Sequence, residues 1–252
     1  MNRRIPLAVL AAGLLAGAPA RADALAAPEA ARVFHNAAAA AEHGDIDAAV
    51  RGWQEILAAG WDGPEVHYNL GVCEQAAGQM GPAMRHLRRA WYDAPRDADI
   101  RTQMRRTARE AGAVVTEPEW PLSWIESASR ENWLAAAAAA YLVAAALLGF
   151  RFVTRRWRRG SAAALMVAAA AAAGALAAAA HWASLRASEA VVMGSDLEFR
   201  IAPSAGAQAI ARAPAGTIVR VDAADREWIR ASAGQREGWV PRAALARVED
   251  GR

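Results

Sequence analysis

Residues 133–150 read WLAAAAAAYLVAAALLGF, residues 151–160 RFVTRRWRRG and residues 161–182 SAAALMVAAAAAAGALAAAAHW. This succession of apolar, basic and apolar segments decides the architecture. Trp133 to Phe150 is a run of 18 residues without a charge, and Ser161 to Ala180 adds 20 more. At 1.5 Å per residue they make helices of about 27 and 30 Å, enough to cross a hydrocarbon core. Arg151, Arg155, Arg156, Arg158 and Arg159 lie between them, and Trp133 and Trp182 stand at the outer ends. Aromatic residues at the interfaces and arginines on one side are what membrane spans require. The pattern predicts spans at 133–153 and 161–182 joined by a basic turn at 154–160. Alanine, the commonest residue in both, lets two helices approach closely in lipid.

Orientation follows from the N-terminus. Arg3 and Arg4 precede an apolar stretch from Ile5 to Ala18, and Ala20-Arg21-Ala22 supplies small residues at a cleavage site. Residues 1–22 therefore read as a secretory signal. An exported N-terminal domain and a cytoplasmic basic turn agree. The first span runs outside to inside, the second returns, and the C-terminal domain lies outside. A bacterial inner membrane protein is expected, with both flanking domains in the periplasm. Residues 113–132, with Pro118, Pro121, Trp120 and Trp124, read as a juxtamembrane linker.

Residues 23–112 carry an internal repeat. Ala37 recurs as Gly71, Gly44 as Gly78, Ile46 as Met80, Ala49 as Ala83 and Trp53 as Leu87, always 34 residues apart. Small residues stand where helices must cross closely, with larger apolar ones between. The period and positions resemble the tetratricopeptide repeat, with units at 30–63 and 64–97 and a capping helix over about 98–110. The second unit matches better, with Asn69-Leu70-Gly71, Gly78, Ala83 and Pro95; in the first, Trp61 stands where the closing proline is expected. That resemblance implies a peptide groove on the first helix of each unit. By repeat position it is lined by Phe34, Ala38, Tyr68, Val72, Thr102 and Arg106. Phe34 and Ala38 replace the polar residues of a carboxylate clamp, so a largely apolar groove is expected.

Residues 190–249 change to short β-type runs: Val191–Met193, Leu197–Phe199, Thr217–Val221 and Trp228–Arg230. Turn residues at Pro203–Gly206, Ala215-Gly216 and Ala233-Gly234 separate them. The region around Phe199 and Pro203-Ser204, Ala215-Gly216-Thr217, Trp228 and Gly238-Trp239-Val240 resembles a bacterial SH3 domain. Its aromatic ligand candidates are Phe199, Trp228 and Trp239, of which the barrel core needs at least one.

The sequence carries no catalytic set. It has no HExxH, no paired cysteines, no phosphate-binding glycine loop and a single cysteine, Cys73, without a neighbouring base. His35 and His43 are too far apart along a helix to share a metal. No enzyme, cofactor or metal site is expected. All 29 basic residues are arginine, and the formal charge is +3. Without residues 1–22, which hold three arginines and no acid, bases and acids balance. That distribution does not suit a nucleic-acid binder.

The chain reads as a multi-domain membrane protein: an all-α tetratricopeptide-repeat solenoid, a two-helix transmembrane hairpin and an all-β SH3-like small barrel. This order of modules resembles the E-type proteins of the Bat aerotolerance system. The resemblance implies a membrane-anchored periplasmic adaptor whose partners are von Willebrand A-type membrane proteins and a MoxR-type ATPase. Two other readings stand beside it: a peptidoglycan-binding envelope sensor acting through the SH3 unit, and a thiol activity at Cys73.

Overall fold

Two helix pairs and a fifth helix form the N-terminal part of the computed structural model, which describes residues 26–113, 122–154, 159–194 and 196–249. The signal segment 1–22 and Arg155, Arg156 and Arg158 lie outside the described residues. α1 (Ala27–Glu42) pairs with α2 (Ile46–Ala58), and α3 (Pro64–Ala76) with α4 (Met80–Asp93); α5 (Ala98–Ala111) follows. Pro28 and Pro64 open α1 and α3, where a missing N–H costs nothing. The Asp45 and Asp97 side chains cap α2 and α5 by accepting backbone N–H bonds.

The 34-residue period survives as geometry. Gly44 and Gly78 turn the chain with φ of +83° and +78°, a region open to glycine. Beyond each turn the chain bonds back alike: Asp45 N–H to the Ala40 carbonyl at 2.9 Å, Gln79 N–H to that of Glu74 at 2.8 Å. The matched pairs Ala49 and Ala83, and Trp53 and Leu87, are all fully buried. Phe34 meets Trp53 edge-on, with ring centroids 4.7 Å apart.

The C-terminal part is a seven-stranded antiparallel sheet. Its strands are β1 (Glu189–Val192), β2 (Leu197–Arg200), β3 (Ala209–Ala213), β4 (Ile218–Asp225), β5 (Trp228–Ala233), β6 (Arg236–Pro241) and β7 (Leu245–Arg247). Their order is β3-β2-β6-β5-β4-β1-β7. Register shifts opposite Phe199/Arg200 and at Val221/Ala223 leave Ile210 and Asp222 as extra residues, bending β3 and β4. The inner face buries Val192, Leu197, Phe199, Val219, Ile229 and Val240.

The chain forms two compact units. One joins Met1–Glu117 to Ser188–Arg252; the other is Pro118–Ala187. The helices and the sheet thus belong to one body. Within the second unit, α6 (Leu122–Ile125) is followed by α7 (Arg130–Thr154) and α8 (Arg159–Ser188). The hairpin helices are longer than expected: α7 begins three residues before 133, and α8 runs six beyond 182. The expected linker 113–132 contains α6 and the first residues of α7. Windows within α7 and α8 have mean hydropathies of 1.6 and 1.8, and they are only 6% and 22% buried. Both helices are long and apolar enough to cross a membrane. On α8, Ala168, Ala175, Ala179 and Trp182 are buried along one side, while Met166, Val167 and Leu176 are exposed.

Candidate functional site

The outer face of the sheet gathers the aromatic candidates. Alternation along β5 and β6 turns Ile229 and Val240 inward, so Trp228 and Trp239 stand on the opposite face. Register places Trp228 against Pro241 and Trp239 between Arg230 on β5 and Arg200 on β2. The two tryptophans are diagonal neighbours, a spacing within reach of large rings. Both are half-buried. Arg200 is committed to structure. It donates to the carbonyls of Ala205 and Ala207, at 2.5 and 2.8 Å, and to Glu198 at 2.9 Å, bracing the β2–β3 loop. Arg230 donates to Glu237 at 2.7 Å across an exposed pair. The face is therefore an aromatic platform with balanced charge. Phe199 does not belong to it. It is fully buried in the sheet's inner core, because β2 turns it inward, and it cannot touch a ligand.

The repeat-face candidates separate in the same way. Phe34 and Ala38 are buried, Phe34 against Trp53, and neither offers a surface. Tyr68 and Val72 on α3 are half-buried, and Thr102 on α5 is exposed. Burial, with Asp99 and Asp97 nearby, pushes the Tyr68 hydroxyl upward. Arg106 is held by Glu110 at 3.1 Å. Gln75 ties α3 to α5, donating to Glu110 at 2.6 Å and accepting from Thr107 at 3.1 Å and from Gln103. Arg151 and Arg159 fall at the facing ends of α7 and α8.

Sequence reading missed the surface where α4 docks on the sheet. Arg88 Nε and Nη2 each donate to one oxygen of Glu189 at 2.7 Å, and the Tyr92 hydroxyl donates to the same carboxylate at 2.7 Å. The Arg88 guanidinium also lies 4.0 Å from the centre of the Trp91 ring. Arg85 Nε donates to the Arg247 carbonyl at 2.8 Å, so α4 covers the β7 edge. Arg89 bonds Glu249 and, at 3.1 Å, Asp62. Close backbone approach is built in at Gly81, where a Cβ would come within 2.5 Å of the Met193 carbonyl oxygen. The signal was present in RHLRRAWYD (85–93), a basic and aromatic run on a helix otherwise read as core.

Behind this surface lies a buried polar chain. Asp62 Oδ1 is 2.6 Å from His67 Nε2, and His67 Nδ1 is 2.9 Å from His86 Nδ1, so one ring donates and the other accepts. His86 Nε2 lies 3.7 Å from Glu74. The His67 bond, with Arg89, holds Asp62 well below the usual carboxylate range. Burial pushes Glu74 up to about 8, and its Oε2 has no hydrogen-bond partner among the described residues. Burial, helped by His67 and Arg85, pushes His86 down to about 3. Among the described residues, no group of three or more His, Cys, Asp or Glu is arranged to hold a metal ion. Cys73 is 2% exposed, and burial raises its thiol to about 11, far from the thiolate that a nucleophile needs.

Comparison with known families gives one match. The family model for the bacterial SH3 domain covers residues 195–246. No curated protein and no solved structure matches the chain. The curled sheet with its tryptophan platform, docked on α4 through β1 and β7, thus contains a bacterial SH3 domain.

Proposed function

We propose that this chain is a non-enzymatic adaptor of a bacterial inner membrane. In this reading the helix pairs are tetratricopeptide repeats, and repeats and SH3 domain are presented together on the periplasmic side. One observation carries the proposal: α4 and β1, which flank the hairpin in sequence, belong to one body joined through Arg88 and Glu189. Segments that dock must lie on the same side of any membrane between them, and a two-span hairpin meets that condition. The basic turn then argues for which side.

Two recognition surfaces on one body engage a partner complex at high effective concentration. The half-buried Tyr68 and Val72 and the sheet's tryptophans are the contacts this reading uses. The partners are those implied by the Bat resemblance, von Willebrand A-type membrane proteins and a MoxR-type ATPase. Phosphatase fusions after Gly160 and Arg252 test the arrangement. Activity only at Arg252 is expected, and a cytoplasmic C-terminus defeats it. Crosslinking of tagged protein in membranes, followed by mass spectrometry, tests the partners.

A second reading is favoured by the platform of Trp228, Trp239 and Pro241, whose flat apolar faces suit sugar rings or a peptide. Here the SH3 domain holds peptidoglycan and the hairpin only anchors it. Detergent-solubilised full-length protein then sediments with purified sacculi. The full chain is required, because residues 188–252 alone lack the α4 surface they dock on.

A further inference from the structure

The unit 118–187 carries an apolar surface that its own helices leave uncovered. α6 is tied to both long helices at one point. The Ile125 carbonyl accepts from Trp133 Nε1, near the start of α7, at 2.9 Å and from Trp182 Nε1, near the end of α8, at 3.4 Å. His181 Nε2 meets the buried Glu126 at 3.2 Å beside it. Both lone pairs of one oxygen are thus engaged, and the open end of the hairpin is closed. Leu122 and Trp124 are left 42% and 61% exposed.

That surface continues along α7. The Trp124 ring lies edge-on to Trp133, with centroids 5.0 Å apart, and Leu134, Tyr141 and Leu142 beyond are also exposed. Polar groups fix its level. Arg130 and Glu131 open α7, and His181 and Arg186 stand near the end of α8. α6 therefore sits where charged residues give way to apolar ones. A tryptophan with an apolar body and a polar N–H suits that boundary.

We propose that α6 is an interfacial membrane element, with Leu122 and Trp124 seated between lipid head groups and acyl chains. The occupant of the exposed surface is lipid, because it is continuous with the lipid-facing side of α7. The proposal rests on α7 and α8 crossing the membrane.

The test places a fluorescent label on Leu122→Cys, or on Leu142→Cys, in full-length Cys73→Ala protein. Each is reconstituted in bilayers whose lipids carry bromine at a shallow or a deep position. The Leu122 label is expected to be quenched about twofold more by shallow than by deep bromine, and the Leu142 label the reverse. If only the Leu142 label is quenched, the spans cross but α6 lies outside lipid, and the proposal is overturned. If neither is quenched, the membrane reading itself fails. Shielding of the Leu122 label that grows with protein density in the bilayer assigns the surface to a second copy, and also overturns the proposal.

Discussion

Arg88 and Glu189 lie 101 positions apart in sequence, yet they meet through two 2.7 Å bonds, with the Tyr92 hydroxyl on the same carboxylate. Both side chains are largely buried, at 12% and 8% exposure. Removing one partner strands the other charge away from water, which costs about 3–5 kcal/mol for buried pairs. Glu189→Ala is therefore expected to loosen the sheet from α4. Hydrogen exchange in the full chain should show lost protection along both α4 and β1. The exposed pair Arg230–Glu237 is the control, where Arg230→Ala costs about 0–1 kcal/mol.

Close approach at Gly81 gives a second, uncharged test of the same surface. Gly81→Ala is compatible with a helix, and on propensity alone it stabilises by roughly 1 kcal/mol. Here the added methyl meets the backbone of Val192 and Met193, which cannot swing aside. Net destabilisation is expected, read as a lower melting temperature in detergent. A rise would show that the sheet does not press on α4.

The buried carboxyl and imidazole set a pH profile. Glu74 ionises near 4.5 in an open chain and near 8 when folded, so its contribution is full below pH 4.5 and is lost as pH rises toward 8. His86 has the opposite sense. Its folded value falls from 6.5 to about 3, so its contribution is full above 6.5 and is lost as pH falls toward 3. These two groups give a plateau between about pH 4.5 and 6.5 with decline on both sides. Glu74→Gln should remove the alkaline decline and leave the acid one, measured as melting temperature against pH.

The tryptophan platform separates binding from folding. Trp239→Ala and Trp228→Ala are expected to weaken capture of partner or sacculi by ~2 kcal/mol or more, the scale of an interface hot spot, with little change in melting temperature. Phe199→Ala removes a fully buried ring and should destabilise the sheet by about 3–5 kcal/mol. Equal loss of stability from all three substitutions would remove the platform as a binding site.

Much of this was legible in the sequence because the patterns are local. Uncharged runs, a 34-residue period and glycine turns each act over one or two helices, and Gly44 and Gly78, 34 residues apart, both turn the chain with positive φ. β3 was missed because Ala209–Ala213 is alanine-rich and carries a single β-branched residue, so only pairing with β2 makes it a strand. Phe34 and Phe199 were read as contacts because sequence gives a residue's position in a pattern but not which side of that position is filled. The run RHLRRAWYD marks a basic, aromatic surface around Arg85, Arg88 and Arg89 without indicating what it meets. Their partners, Arg247, Glu189 and Glu249, lie beyond the hairpin, and no local pattern announces such a pairing.

The interrupted body also has a consequence for biogenesis. Helices α1 to α5 emerge first, with α4 still lacking the strand that covers it, and β1 follows only after both apolar helices have been made. Contacts spanning 101 to 162 residues close last and slowly. If α7 and α8 cross a membrane, a chain in which only one of them inserts has its C-terminal segment across the bilayer from α4, leaving Arg88 and Tyr92 bare. On that reading, completion of the docked surface records that both spans or neither have inserted, whichever way the hairpin faces.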